Sequence, residues 1–303
     1  MIVDCFTHTW ESSDQLGRCV PPRSVSDGEG QTFKGLSSAG GRRHFDAAEP
    51  TDVTIVLGFT SRYLGASITN DQVAGYVRKH PAKLIGFAGI DPSEPKEAIA
   101  EIIRAKDELH MPGIAIAPAA QDFHPSNSQA MRVYAEAARR NMPVIFHTGV
   151  FIAARTKLEY AQPVLLDEVA REFPEMKIII AHMGYPWMHE TTVLLGKHLN
   201  VFAETSWLLQ HPWQAYQALL EAYEYGVMDK ILFGSGFPAS SASEVIEELF
   251  SIGHLYHGTN LPSVPREQLR RIVERESLSL LGIPGNDFAS RTQLSAAVAE
   301  DAE

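Results

Sequence analysis

Short runs of apolar, mostly β-branched residues recur along this chain. Between them lie longer stretches in which apolar residues fall at helical spacing. An apolar run of about four to eight residues bounded by turn residues reads as a strand buried on both faces. Runs of that form occupy 2–6, 53–57, 84–88, 113–117, 143–147, 177–182, 201–204 and 230–235. Helical spacing predicts helices over 71–80, 94–109, 128–140, 164–173, 188–198, 213–225, 243–252 and 266–281, with a shorter one near 42–49. Pro163 stands at the start of one of these, where a missing N–H is harmless. Gly282 and Pro284 close the last.

Eight strands, each followed by a helix or by a segment long enough to hold one, imply parallel strands with helices outside. The predicted fold class is therefore α/β, a TIM-type (β/α)8 barrel in a single domain over 1–285. It carries a long loop after strand 1 and an extra C-terminal helix, and an acidic tail follows at 286–303. The competing open, doubly wound sheet needs a glycine-rich phosphate loop after its first strand. The segment Asp4-Cys-Phe-Thr-His-Thr9 has no glycine. The irregular insertion at 10–41, rich in Gly, Ser and charge, has the length of a lid or binding loop.

Composition narrows the partners. In 303 residues, 45% hydrophobic and 21% charged residues fit a soluble globular enzyme. With 26 Lys and Arg against 37 Asp and Glu, the net charge of −11 disfavours nucleic acid. No apolar run reaches the length of a membrane span, and no basic segment precedes an apolar core at the N-terminus. Cys5 and Cys19 form neither a disulfide framework nor a structural zinc motif, so a reducing, cytoplasmic setting is expected. The expected partner is a small-molecule substrate, with no nucleic acid and no membrane.

In such a barrel the carboxyl ends of the strands carry the chemistry. The run Lys177-Ile-Ile-Ile-Ala-His182 ends on a histidine, with Gly184 two residues on. Pro143-Val-Ile-Phe-His147 ends the same way, before Thr148-Gly149. Alternation along strand 1 sets Asp4, Phe6 and His8 on one face and Cys5 and Thr7 on the other, so His8 can join His147 and His182. Three imidazoles at a barrel mouth either hold a catalytic zinc with an open water position or act without metal as general acid and base.

Around them, Glu204 ends strand 7 as a candidate base or spare ligand, with its face undetermined. Arg155 is a candidate partner for a substrate carboxylate, and Tyr185 and Trp187 candidate pocket walls. Phe6 marks an apolar pocket, Asp4 lies a layer deeper, and Gln121 and His124 are loop anchors. His44, His189, His198, His211, His254 and His257 read as structural or solvated.

The chain resembles the amidohydrolase superfamily, in the branch that includes aminocarboxymuconate semialdehyde decarboxylase. The resemblance rests on Gln121-Asp-Phe-His-Pro125, Pro143-Val-Ile-Phe-His-Thr-Gly149 and Ile179-Ile-Ala-His-Met-Gly184 with Pro186-Trp187. It rests also on Ile231-Leu-Phe-Gly-Ser235 and Leu280-Leu-Gly-Ile283. It implies hydrolysis or decarboxylation of a small carboxylated or cyclic substrate, a homodimer, and a divalent metal held by His8, His147 and further ligands, with His182 moving a proton.

Two positions depart from that pattern. Where the branch has His-x-His after strand 1, this chain has Phe6-Thr7-His8. Where it has Gly-Ser-Asp near strand 8, this chain has Gly234-Ser235-Gly236. A tightly bound metal is therefore not expected, and zinc at His8, His147 and His182 stays an alternative. Three functions follow: a hydrolase or lyase with a weakened or absent metal site, a zinc hydrolase with rebuilt ligands, and a non-catalytic binding barrel.

Overall fold

The structure, a computed structural model, describes residues 1–19, 39–149, 153 and 155–283. Most of the insertion at 10–41, residues 20–38, and the acidic tail at 286–303 lie outside the described residues. The strands are β1 (Val3–His8), β2 (Val53–Leu57), a short antiparallel hairpin of β3 (Phe59–Ser61) and β4 (Ala66–Ile68), then β5 (Leu84–Gly89), β6 (Gly113–Ile116), β7 (Val144–Phe146), β8 (Ile178–Ile180), β9 (Val201–Glu204) and β10 (Ile231–Leu232). All but the hairpin pair side by side in chain order and in parallel.

Backbone bonds close the ring between its two ends. Cys5 N–H donates to the Phe233 carbonyl (2.9 Å), Gly236 N–H to Phe6 (3.0 Å) and His8 N–H to Phe237 (3.0 Å). The expected TIM-type barrel is the fold.

Ten helices are described: α1 (Gly41–Ala47), α2 (Asn70–Val77), α3 (Pro95–Asp107), α4 (Ser128–Arg139), α5 (Asp167–Glu172), α6 (Met188–Lys197), α7 (Pro212–Glu224), α8 (Ala242–Ser251), α9 (Arg266–Val273) and α10 (Ser277–Leu280). Local chemistry sets several starts. Thr69 and Ser241 make capping boxes with Gln72 and Glu244, and Asn127 caps α4, each satisfying otherwise orphaned N–H groups. No helix among the described residues is long and apolar enough to cross a membrane.

Two layers of core follow from strand alternation. Val53, Ile55 and Leu57 of β2, Ile145 of β7, Ile179 of β8, Phe202 of β9 and Leu232 of β10 fill the barrel, with Leu278, Leu281 and Ile283 packed on the same cluster. Their neighbours Val56, Val144, Phe146, Ile178, Ile180, Val201, Ala203 and Ile231 face the helices. Complete burial of such side chains contributes about 1.5–3 kcal/mol each. The same parity carries His147, Glu204 and Gly234 inward at the mouth.

Two expectations need correction, and one element was not foreseen. Strict alternation fails in β1, where the register with β2 shifts between Asp4 and Thr7, a bulge that puts Cys5 and Phe6 together in the inner cluster. The single helix expected over 266–281 is two, because Glu274–Glu276 leave helical geometry. The hairpin β3–β4 was not predicted, since strands of three residues are too short to show a period.

Candidate active site

The rings of His8, His147 and His182 surround Phe6. Their centroids lie 5.2, 5.3 and 4.8 Å from the Phe6 ring, each edge to face. His147 and His182 are 4.6 Å apart, and His8 and His147 are 6.5 Å apart. Phe6 and His182 are buried, while His8 and His147 are partly exposed, so the cluster opens on their side. The β1 bulge delivers Phe6 and His8 to this cluster and turns Thr7 outward, where its hydroxyl meets His44 Nε2 at 2.8 Å.

His182 arrives by a different device. After Ile180 faces the helices and Ala181 the interior, alternation would send residue 182 outward. His182 instead adopts the left-handed conformation (φ 57°), as does Met183 (φ 51°), and the ring swings into the mouth. Left-handed backbone at a residue other than glycine costs of order 1 kcal/mol and persists where the surroundings enforce it. The enforcing group is Glu204. Its carboxylate accepts from His182 N–H (2.7 Å), Ser206 N–H (2.6 Å) and Ser206 Oγ–H (2.6 Å). His182 Nδ1 lies 2.7 Å from Ser206 Oγ and 3.2 Å from the Ser206 carbonyl.

Burial sets the charge state. It lowers His8 to a pKa of about 4, only partly offset by the Leu57 carbonyl that faces its Nδ1 at 3.0 Å. It lowers His182 to about 3 against the opposing bond to the Ser206 carbonyl. His147 is pushed well down by burial and by the neighbouring His182 and His8. All three rings are therefore neutral at pH 7. Burial raises Glu204 to about 7, against its three donors. It also raises Asp4 to about 6, against donors from Ser235 and from Phe6 N–H. Two buried carboxyls thus accompany a cluster of uncharged imidazoles.

Of the residues singled out in the sequence, the structure brings together His8, His147, His182, Phe6 and Glu204. Arg155, Tyr185 and Trp187 show other surroundings. Arg155 is exposed, and the Tyr63 hydroxyl donates to its carbonyl (3.0 Å). Tyr185 stacks flat on His211, centroids 4.7 Å apart. Trp187 is half-buried at the start of α6. Gln121 anchors its loop, accepting from Ala117 N–H and donating to the Thr60 and Ile90 carbonyls.

Two residues at the site were missed. Ser206 was signalled only by its place two residues after Glu204, where a hydroxyl readily pairs locally. Trp207, whose ring lies 6.3 Å from His182, sits in a left-handed turn (φ 63°) that no sequence pattern announces.

The implied divalent metal can be tested against these side chains. Phe6 sets a ring without donor atoms in the middle of the three imidazoles. A Cβ on Gly236 would lie 3.0 Å from Trp207 Cδ1 and 3.1 Å from Ser206 Cβ, and its φ is +76°, so the place for an aspartate is occupied and strained. Among the described residues no three His, Cys, Asp or Glu are grouped to hold a metal ion. The donor set does not fit the group.

His147 and His182 thus stand just past the carboxyl ends of β7 and β8 in a barrel of eight parallel strands. The sequence profile of the amidohydrolase family matches residues 3–275, and the chain belongs to that family. Among solved structures it is similar to an uncharacterised TIM-barrel protein from Bordetella bronchiseptica, with 19% identity over 93% of this chain and 98% of that one, at TM-score 0.65. It is similar too to a probable 2-pyrone-4,6-dicarboxylic acid hydrolase from Acinetobacter baumannii with citric acid bound, at 15% identity, 93% and 99% coverage and TM-score 0.63. A third is 5-carboxyvanillate decarboxylase from Novosphingobium aromaticivorans, complexed with manganese and a nitrobenzoic acid, at 14% identity, 93% and 96% coverage and TM-score 0.64. At these identities the likeness extends to the fold.

Proposed function

We propose that this chain is a hydrolase or lyase acting on a small carboxylated or cyclic substrate through its imidazoles, without a resident metal. The observation that carries the reading is the convergence of three neutral imidazoles around the Phe6 ring. The small carboxylated molecules named for the similar barrels support the substrate class.

An entering carboxylate supplies the charge that burial denies the rings. It raises their proton affinity, so a proton enters with the substrate. For decarboxylation of an aromatic acid, His147 or His182 delivers that proton to the ring carbon bearing the carboxylate. The carbon–carbon bond then breaks, its electron pair returns to the ring, and carbon dioxide leaves. For hydrolysis of a lactone, one imidazole in its neutral form takes a proton from water as the water oxygen bonds to the carbonyl carbon, then passes that proton to the ring oxygen as the carbon–oxygen bond breaks. General acid–base catalysis of this kind contributes about 100- to 10,000-fold.

The test is a panel of hydroxybenzoates and lactones assayed by chromatography in excess chelator. The expected result is turnover that survives chelation and falls about 100-fold or more in His147→Gln and His182→Gln. Turnover abolished by chelator would favour the zinc hydrolase. Saturable binding with no turnover across the panel would favour the binding barrel, which Phe6 and Gly236 also support.

A further inference from the structure

Ser206 touches both the buried carboxylate and the imidazole, and the direction of its bonds is determined by elimination. Glu204 faces three donors: the N–H of His182, the N–H of Ser206 and the Ser206 hydroxyl. The two backbone groups can only donate, and with Glu204 ionised both of its oxygens act as acceptors. The hydroxyl hydrogen is then spent on Glu204 Oε1, which leaves the Ser206 oxygen as an acceptor toward His182 Nδ1 at 2.7 Å. The Ser206 carbonyl, 3.2 Å from the same nitrogen, accepts in any state. Both partners of Nδ1 therefore demand a proton on it.

We propose that Ser206, oriented by Glu204, is a positioning residue that holds His182 in the Nδ1–H tautomer and so leaves the lone pair on Nε2, with the His147 ring 4.6 Å away. The inference deepens the proposed function, because it says which nitrogen of His182 is available to a substrate or water. The frame is specific to a carboxylate. In Glu204→Gln one amide N–H₂ would face a backbone N–H, donor against donor, whichever way the amide turned. Gly234 belongs to the same frame, since a Cβ there would lie 2.0 Å from Glu204 Oε2. The second imidazole, His8, is fixed in the same sense, with Nδ1 facing the Leu57 carbonyl at 3.0 Å.

The experiment is nitrogen-15 NMR of the imidazoles in the full chain, with His182 assigned by its loss in His182→Gln. Wild type should show a pyrrole-type Nδ1 and a pyridine-type Nε2 on His182, with a slowly exchanging Nδ1 proton. Ser206→Ala should speed that exchange about tenfold, the worth of one hydrogen bond, with an unchanged backbone amide spectrum. Ser206→Thr, which keeps the hydroxyl, should restore it. A pyrrole-type Nε2 in wild type would overturn the proposal without any variant having to fold. An exchange rate equal in Ser206→Ala and wild type would overturn it as well. Neither readout needs a substrate, so failure of the panel assay and failure of this proposal are separate results.

Discussion

The two halves of the barrel mouth have been treated differently. On the β7–β9 side, His147, His182 and Glu204 stand together, and Ser206 ties the last two to one another. On the β10–β1 side, Phe6 and Gly236 occupy the positions where the family resemblance implies a histidine and an aspartate. The first side keeps its proton-handling groups, while the second keeps His8 but lacks two donors for a cation. The contrast argues that the site was reorganised around uncharged imidazoles. A wholly decayed site would have no reason to keep a strained His182 over a buried carboxylate.

The largest expected effect breaks the first half directly. In Gly234→Ala the new methyl would meet Glu204 Oε2 at 2.0 Å, and that carboxylate is pinned by three donors and cannot move aside. A loss of about 3 kcal/mol or more is expected in urea unfolding, the upper range for overpacking.

Next is the pH dependence of stability. The lowered imidazoles, His8 at about 4, His44 and His182 at about 3, and His147, stabilise the fold fully above 6.5 and withdraw that contribution as pH falls toward their folded values. The raised carboxyls act oppositely. Glu204 at about 7 and Asp4 at about 6 contribute fully only below their ordinary values of 4.5 and 3.8, and lose that contribution as pH rises. Near pH 5 these four imidazoles outweigh the two carboxyls, so unfolding takes up about two protons and stability falls by roughly 3 kcal/mol per pH unit on acidification. Chemical denaturation across pH 7 to 4.5 measures the slope, and stability rising on acidification would contradict the burial of these rings.

The second half is probed by Phe6→His, which restores a donor where the apolar ring stands. Zinc affinity by calorimetric titration should tighten by about 100-fold or more over wild type, since even groups that only support a ligand change affinity 10–100-fold. Gly236→Asp should not add to this, because Trp207 and Ser206 fill its space. Last, Arg155→Ala should change stability by no more than about 0.5 kcal/mol, as for other exposed positions.

The fold was readable because each barrel strand buries both faces and so appears as an unbroken apolar run, while the helices between them keep their own period. Glu204 and Ala203 show where reading stopped. Period-two alternation says that they face opposite ways but not which is inward, and only the ring of neighbours decides it. His182 was found for its place at a strand end, yet alternation alone would have turned it out. The left-handed turn that turns it in depends on a carboxylate 22 residues away. The bulge in β1 is likewise invisible in Val3–His8 alone, because it exists only in the register with β2. Arg155, Tyr185 and Trp187 were chosen for nearness in sequence to strand ends, a criterion that leaves the direction of a side chain open.

Metal content of the wild-type chain tests the difference between the two halves most directly. Protein produced with zinc and manganese in the medium, dialysed without chelator and analysed for both, should carry well under one ion per chain. One ion per chain, retained through dialysis and lost only with denaturation, would contradict the account and return the site to conventional metal chemistry.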